Sequence, residues 1–179
     1  MNEKMVIQLT FKEACRFAPV RASSTGVDGA MELLDWLPQV CVLVDKEDCA
    51  LFSIGGCGEV RWPVFVLRDL DVFLEQVPPV IGALRSSSRF SLYMCEQGLD
   101  REIVGEPQSE GLYRLTCRSY FGEWRPDPES IIMTRAELSE MFFEVALSFY
   151  RFLKDSGVVE AGLAQMWAEA CGLPSGQAS

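Results

Sequence analysis

The chain has 179 residues, 49% hydrophobic and 23% charged, with a formal net charge of −10 and no histidine. These totals fit one globular domain with its own core and exclude a disordered or collagen-like chain. Without histidine, Ser-His-Asp and Cys-His nucleophilic pairs, H-E-x-x-H zinc sites and histidine proton shuttles are excluded, and the acidic balance argues against nucleic acid, whose binding needs lysine and arginine to release counterions.

From the start, Met5, Ile7, Leu9 and Phe11 alternate with Val6, Gln8 and Thr10, the period of two that predicts a strand with one buried face. Ala22 to Gly29 reads as a loop, and Ala30 to Leu37 mixes helical and extended spacing before Pro38. Val40–Val44 and Cys49–Ile54 are apolar runs separated by Asp45-Lys46-Glu47-Asp48, a pattern that predicts an antiparallel hairpin with an acidic turn. Gly55-Gly56-Cys57-Gly58 breaks the pattern, and Pro63 suits the first turn of a helix. Val66, Leu67, Leu70, Phe73, Leu74 and Val77 recur at helical spacing, with Pro78-Pro79 expected to bend or interrupt that helix.

Three more strands are expected at Phe90–Cys95, Arg101–Glu106 and Leu112–Tyr120, joined by turns at Gln97-Gly98 and Pro107–Glu110. A proline-ruled loop, Trp124 to Glu129, is expected to end the sheet, with Ile131 to Met133 a short apolar lead into the next element. Thr134-Arg135-Ala136-Glu137 matches a capping box and opens a helix with a stripe of Leu138, Met141, Phe142, Val145, Phe149, Phe152 and Leu153, stopped by Gly157. A short last helix runs through Leu163, Met166 and Trp167. The expected class is α+β: an antiparallel sheet of about six strands with two main helices on one face and a short C-terminal helix. Residues 1–173 form one domain and 174–179 a frayed tail.

Cys15, Cys41, Cys49, Cys57, Cys95, Cys117 and Cys171 stand singly, with no C-x-x-C pair, so neither a metal site nor a cofactor is expected. Their odd number and apolar neighbours suit reduced thiols packed as small hydrophobes. With no run near the ~18 apolar residues of a spanning helix and no signal-like start, the expected location is the cytoplasm, without membrane contact.

Candidate sites are acidic. Glu96, Asp100, Glu102, Glu106 and Glu110 surround a predicted hairpin whose nearby cation is Arg101, and Asp45, Glu47 and Asp48 form a second cluster. Both suit a basic protein partner through complementary fields, against the simpler reading of solvated edges that block sheet pairing. Cys57 in its glycine turn is a candidate reactive thiol, set against an ordinary turn. Arg114, Arg118 and Arg125 suit either structural ion pairs or a ligand carboxylate or phosphate.

With Glu59-Val60-Arg61-Trp62-Pro63 leading into a helix and Trp124-Arg125-Pro126-Asp127-Pro128-Glu129 before the capped one, the layout resembles bacterial immunity proteins of polymorphic toxin systems. The resemblance implies a tight stoichiometric inhibitor that covers a cognate toxin's active site. Two alternatives stand beside it. One is a histidine-independent carboxylate enzyme using Glu59, Glu123, Asp127 or Glu129; the other is a structural or oligomeric subunit.

Overall fold

The computed structural model describes residues 4–13, 15–18, 29–95 and 99–174. Along them run β1 (Val6–Phe11), α1 (Gly29–Lys46), β2 (Ala50–Gly55), α2 (Val66–Arg85), β3 (Phe90–Met94), β4 (Arg101–Pro107), β5 (Leu112–Arg118), β6 (Ser130–Thr134), α3 (Arg135–Ser156) and α4 (Ala161–Cys171). The class is α+β, with a correction: the strands form two antiparallel sheets, β1-β2 and the meander β3-β4-β5-β6. A single six-stranded sheet does not form.

The expected strand at Val40–Val44 is the last part of α1. Trp36, Leu37, Val40, Cys41 and Val44 are all buried while Val42 is half exposed. Steps of one, three and four residues make one helical stripe, so the local run was the end of a longer helical period. The hairpin partner of β2 is instead β1, with Ile7 opposite Ile54 and Leu9 opposite Phe52.

Pro78 and Pro79 do not end α2, which continues to Arg85. Val77, Val80 and Ile81 on either side of them are buried, and that packing holds the helix across the missing amide donors. The helix begins at Val66 rather than at Pro63, and the Phe65 N–H donates to the buried Asp69 carboxylate at 2.7 Å. Ile131 to Met133 belongs to β6, which pairs with β5, while the strand expected to reach Tyr120 stops at Arg118. The capping box at Thr134 forms in both directions, and Gly157 ends α3 in the left-handed region at φ 71°. Of the segment expected as a frayed tail, residues 175–179 lie outside the described residues, as do residues 22–28 of the expected loop.

One core joins these elements. The inner face of the meander, including Leu92, Ile103, Leu115 and Met133, clusters with Phe73 and Leu74 of α2 and with Leu138 and Phe142 of α3. Rings carry much of it: Phe73 stacks near Phe142, Trp36 lies parallel to Phe149, and Trp167 meets Phe149 edge-on at 5.0 Å.

The reduced-thiol expectation is overturned for four of the cysteines. Cys15 is bonded to Cys49 and Cys57 to Cys117, leaving Cys41, Cys95 and Cys171 free. The pairs are 34 and 60 residues apart in sequence, so spacing in the chain could not reveal them. Alkylating the unfolded protein without reductant is expected to label three cysteines, rising to seven after reduction; seven at the outset would refute both bonds. Among the described residues no helix is long and apolar enough to cross a membrane.

Candidate binding site at the end of the meander

Asp100 precedes β4 and is the hub of the 119–122 loop. One carboxylate oxygen accepts the backbone N–H groups of Tyr120, Phe121 and Gly122 and the Ser119 hydroxyl, while the other accepts the Tyr93 hydroxyl at 3.0 Å. These donors favour the ionised form, the Phe121 N–H most, and hold the carboxyl at about 2 against an ordinary 3.8. The loop is thereby fixed to the sheet although its tip faces solvent: Phe121 is 90% exposed and Tyr120 55%.

Below the tip lies Arg101. It is nearly buried, its guanidinium sits 4.1 Å from the Trp124 ring centroid and 4.9 Å from that of Trp62, and it donates two bonds to Glu59 at 2.7 and 3.0 Å. The fork fits the carboxylate in two places at once, and the ring faces attract the cation. Trp62 packs edge-on against Trp124, and its indole N–H donates to the Gly56 carbonyl. The turn that supplies Glu59 is tied in by the Cys57–Cys117 bond and by the Asp127 N–H to the Cys57 carbonyl. A Cβ on Gly58, where φ is 89°, would come within 2.4 Å of the Asp127 carbonyl oxygen, so the glycine permits this close approach. Cys57 is thus a structural half-cystine and not a free reactive thiol. The buried free thiols of Cys41 and Cys171 are pushed up by desolvation, the latter to about 12, which keeps them protonated and inert.

Glu102 and Glu106 lie on β4, with Arg118 and Arg114 of β5 directly opposite. Glu102 accepts the hydroxyls of Ser91 and Tyr120, so it braces the exposed tyrosine, while Glu106 lies 3.8 Å from Arg89. Arginines are therefore interleaved with the acids of this face, a consequence of strand register that linear order did not reveal. Glu110 is exposed in the turn before β5, at φ 63°. Glu96 lies outside the described residues. Asp45 is an exposed residue at the end of α1, and Glu47 and Asp48 form its turn into β2, correcting the hairpin turn; Asp48 pairs with Lys12 at 2.5 Å.

The sequence reading missed the hub role of Asp100 and the stacked role of Arg101. The usable signal was the placement of Trp62, Tyr120, Phe121 and Trp124 near the ends of expected elements, where aromatics serve either as core caps or as interface anchors. Arg125 donates to the Gly122 and Trp124 carbonyls, which is a structural use. A cleft of about 460 Å³ beside the loop is lined by Arg118, Tyr120, Trp124, Arg125 and Glu129 among others. Among the described residues no three or more cysteine, aspartate or glutamate side chains converge as a metal site. Comparison with protein-family models, curated proteins and solved structures found no match to this chain.

Asp100→Asn is expected to loosen the loop, seen as roughly tenfold faster chymotrypsin cleavage at Tyr120 or Phe121 near neutral pH with little change in global unfolding. An unchanged rate would remove Asp100 from its hub role. The pH effect has a definite sign. Because the folded pKa is depressed, the carboxylate's contribution is present above 3.8 and is lost as pH falls through about 2. Amide exchange at Tyr120–Gly122, corrected for its intrinsic pH dependence, should accelerate across that window in the wild type and show no such step in the asparagine variant.

Proposed function

We propose that the chain is a protein-binding module acting as an immunity-type inhibitor, with the Tyr120–Phe121 tip as its anchor on a cognate toxin. The observation that carries this reading is the pairing of exposure with rigidity: a phenylalanine 90% exposed on a loop whose successive amides are all held by Asp100. Exposed aromatic side chains fixed in advance lose little entropy on binding and are frequent hot spots. The charge of −10 favours a basic partner surface, with Asp45, Glu47, Glu106 and Glu110 as steering charges. The two disulfides support an oxidising compartment over the expected cytoplasm.

The test is affinity capture from the native cell with the wild type and with Phe121→Ala. The wild type should retain one stoichiometric basic protein, and the variant should weaken that complex about 30-fold or more, the scale of a hot-spot truncation. If the wild type captures no stoichiometric partner, or the variant binds it equally well, the reading fails. Charge reversal at Glu106 and Glu110 should slow association and flatten its salt dependence while leaving dissociation little changed.

A further inference from the structure

The two sheets present four edges, and on two of them outward backbone groups are already bonded. At β2 the Ile54 carbonyl accepts the Trp62 N–H at 2.7 Å. At β3 the Gln76 side chain both accepts from the Tyr93 N–H and donates to the Tyr93 carbonyl, taking the place of a neighbouring strand. At β1 the side chains of Ile7 and Leu9 are 4% exposed, and the strand and α3 together line a cleft.

Among the described residues the β6 edge is open. The Cys117 N–H bonds to the Glu129 carbonyl, and the β5–β6 register continues from that pair, so Ile131 and Met133 bond to β5 while Ser130 and Ile132 turn their N–H and C=O groups outward. Ser130 is exposed and Ile132 is 49% exposed. Farther along, the Thr134 N–H is taken by Glu137 at 2.9 Å. The strand Ser130-Ile131-Ile132-Met133-Thr134 contains no lysine, proline or other device that blunts an edge.

We propose that this edge pairs with the same edge of a second copy, forming a two-fold dimer with one continuous eight-stranded sheet. With Ile131 facing Ile131 across the axis, Ser130 and Ile132 of each copy stand opposite Ile132 and Ser130 of the other, and the outward groups make four hydrogen bonds. Ser130 and Ile132 share a face, so each exposed Ile132 is covered in the pairing. The same register sets Asp127 of each copy opposite Arg135 of the other, with Glu129 its diagonal neighbour.

The test is sedimentation equilibrium of the full chain, with amide exchange in parallel. The wild type should approach twice the 20.0 kDa chain mass as concentration rises, and more readily at high salt, because each copy carries −10. Ile132→Lys should weaken the dimer about a hundredfold, and Ile132→Pro, which removes only an outward N–H, should do the same. Since either variant could affect folding, exchange in the wild type supplies a second measure: the Ser130 and Ile132 amides should slow with rising concentration while those of Ile131 and Met133 stay protected throughout. A 20.0 kDa species at every concentration and salt level would overturn the proposal, as would a dimer that survives both variants or edge amides indifferent to concentration. Phe121→Ala should leave the dimer intact, so this inference and the partner reading fail separately.

Discussion

Arg101→Ala is expected to destabilise the fold by about 3 kcal/mol, read as a lower urea midpoint, because it removes one partner of a largely buried ion pair and the cation between two rings. For a domain of this size that is a fall of roughly 10 °C in Tm. The figure is set below the top of the range for buried pairs because the Glu59 side chain is 35% exposed and water can partly solvate it once the arginine is gone. Arg101→Lys keeps the charge but loses the fork and most of the stacking, so it should recover only part of the loss. The change should also reach the binding tip. Trp124 is stacked on this guanidinium and lies two residues beyond Gly122, so partner affinity should fall more in Arg101→Ala than stability alone accounts for. If Arg101→Ala, Arg101→Lys and the wild type unfold at the same urea concentration, the stack is not a support of the fold.

Trp167→Ala is expected to cost about 4 kcal/mol, the scale for removing a large buried ring that leaves a cavity. The indole is fully buried, meets Phe149 edge-on, and donates its N–H to the Ala146 carbonyl at 3.0 Å. Its helix, α4, has 11 residues, too few to be stable alone, so docking through Leu163, Ala164, Trp167 and Ala168 is what keeps it folded. Trp167→Phe retains most of the apolar volume and should cost about 1–2 kcal/mol through the lost hydrogen bond and the smaller ring. The signature to measure is an exchange rise confined first to the α4 amides, followed by a lower global midpoint. Stability unchanged in Trp167→Ala would mean that α4 adds nothing to the core.

Elements governed by near neighbours were readable from the chain. The alternation of β1, the stripe of α2, the capping box of α3 and its glycine stop each depend on residues within a turn or two of one another, and each forms close to where it was expected. Val40–Val44 misled because five residues cannot distinguish a buried strand from the end of a buried helix; the deciding residues were Trp36 and Leu37, one turn earlier. The continuation of α2 through Pro78-Pro79 rests on packing from outside the helix, which no local propensity reports.

For the candidate site, the sequence by itself determined the chemistry available: no histidine, an excess of carboxylates, and aromatic residues gathered at the ends of elements. Only the tertiary structure decided what those groups do. It turned Asp100 from an exposed acid into the acceptor for a whole loop, set Arg101 between two tryptophans, placed arginines opposite Glu102 and Glu106, and joined cysteines 34 and 60 residues apart. The reason is the range of the interactions. Helix stripes, caps and turns are set by residues a few positions apart, whereas strand register, ring stacking and disulfide pairing depend on which distant segments the shared core brings together.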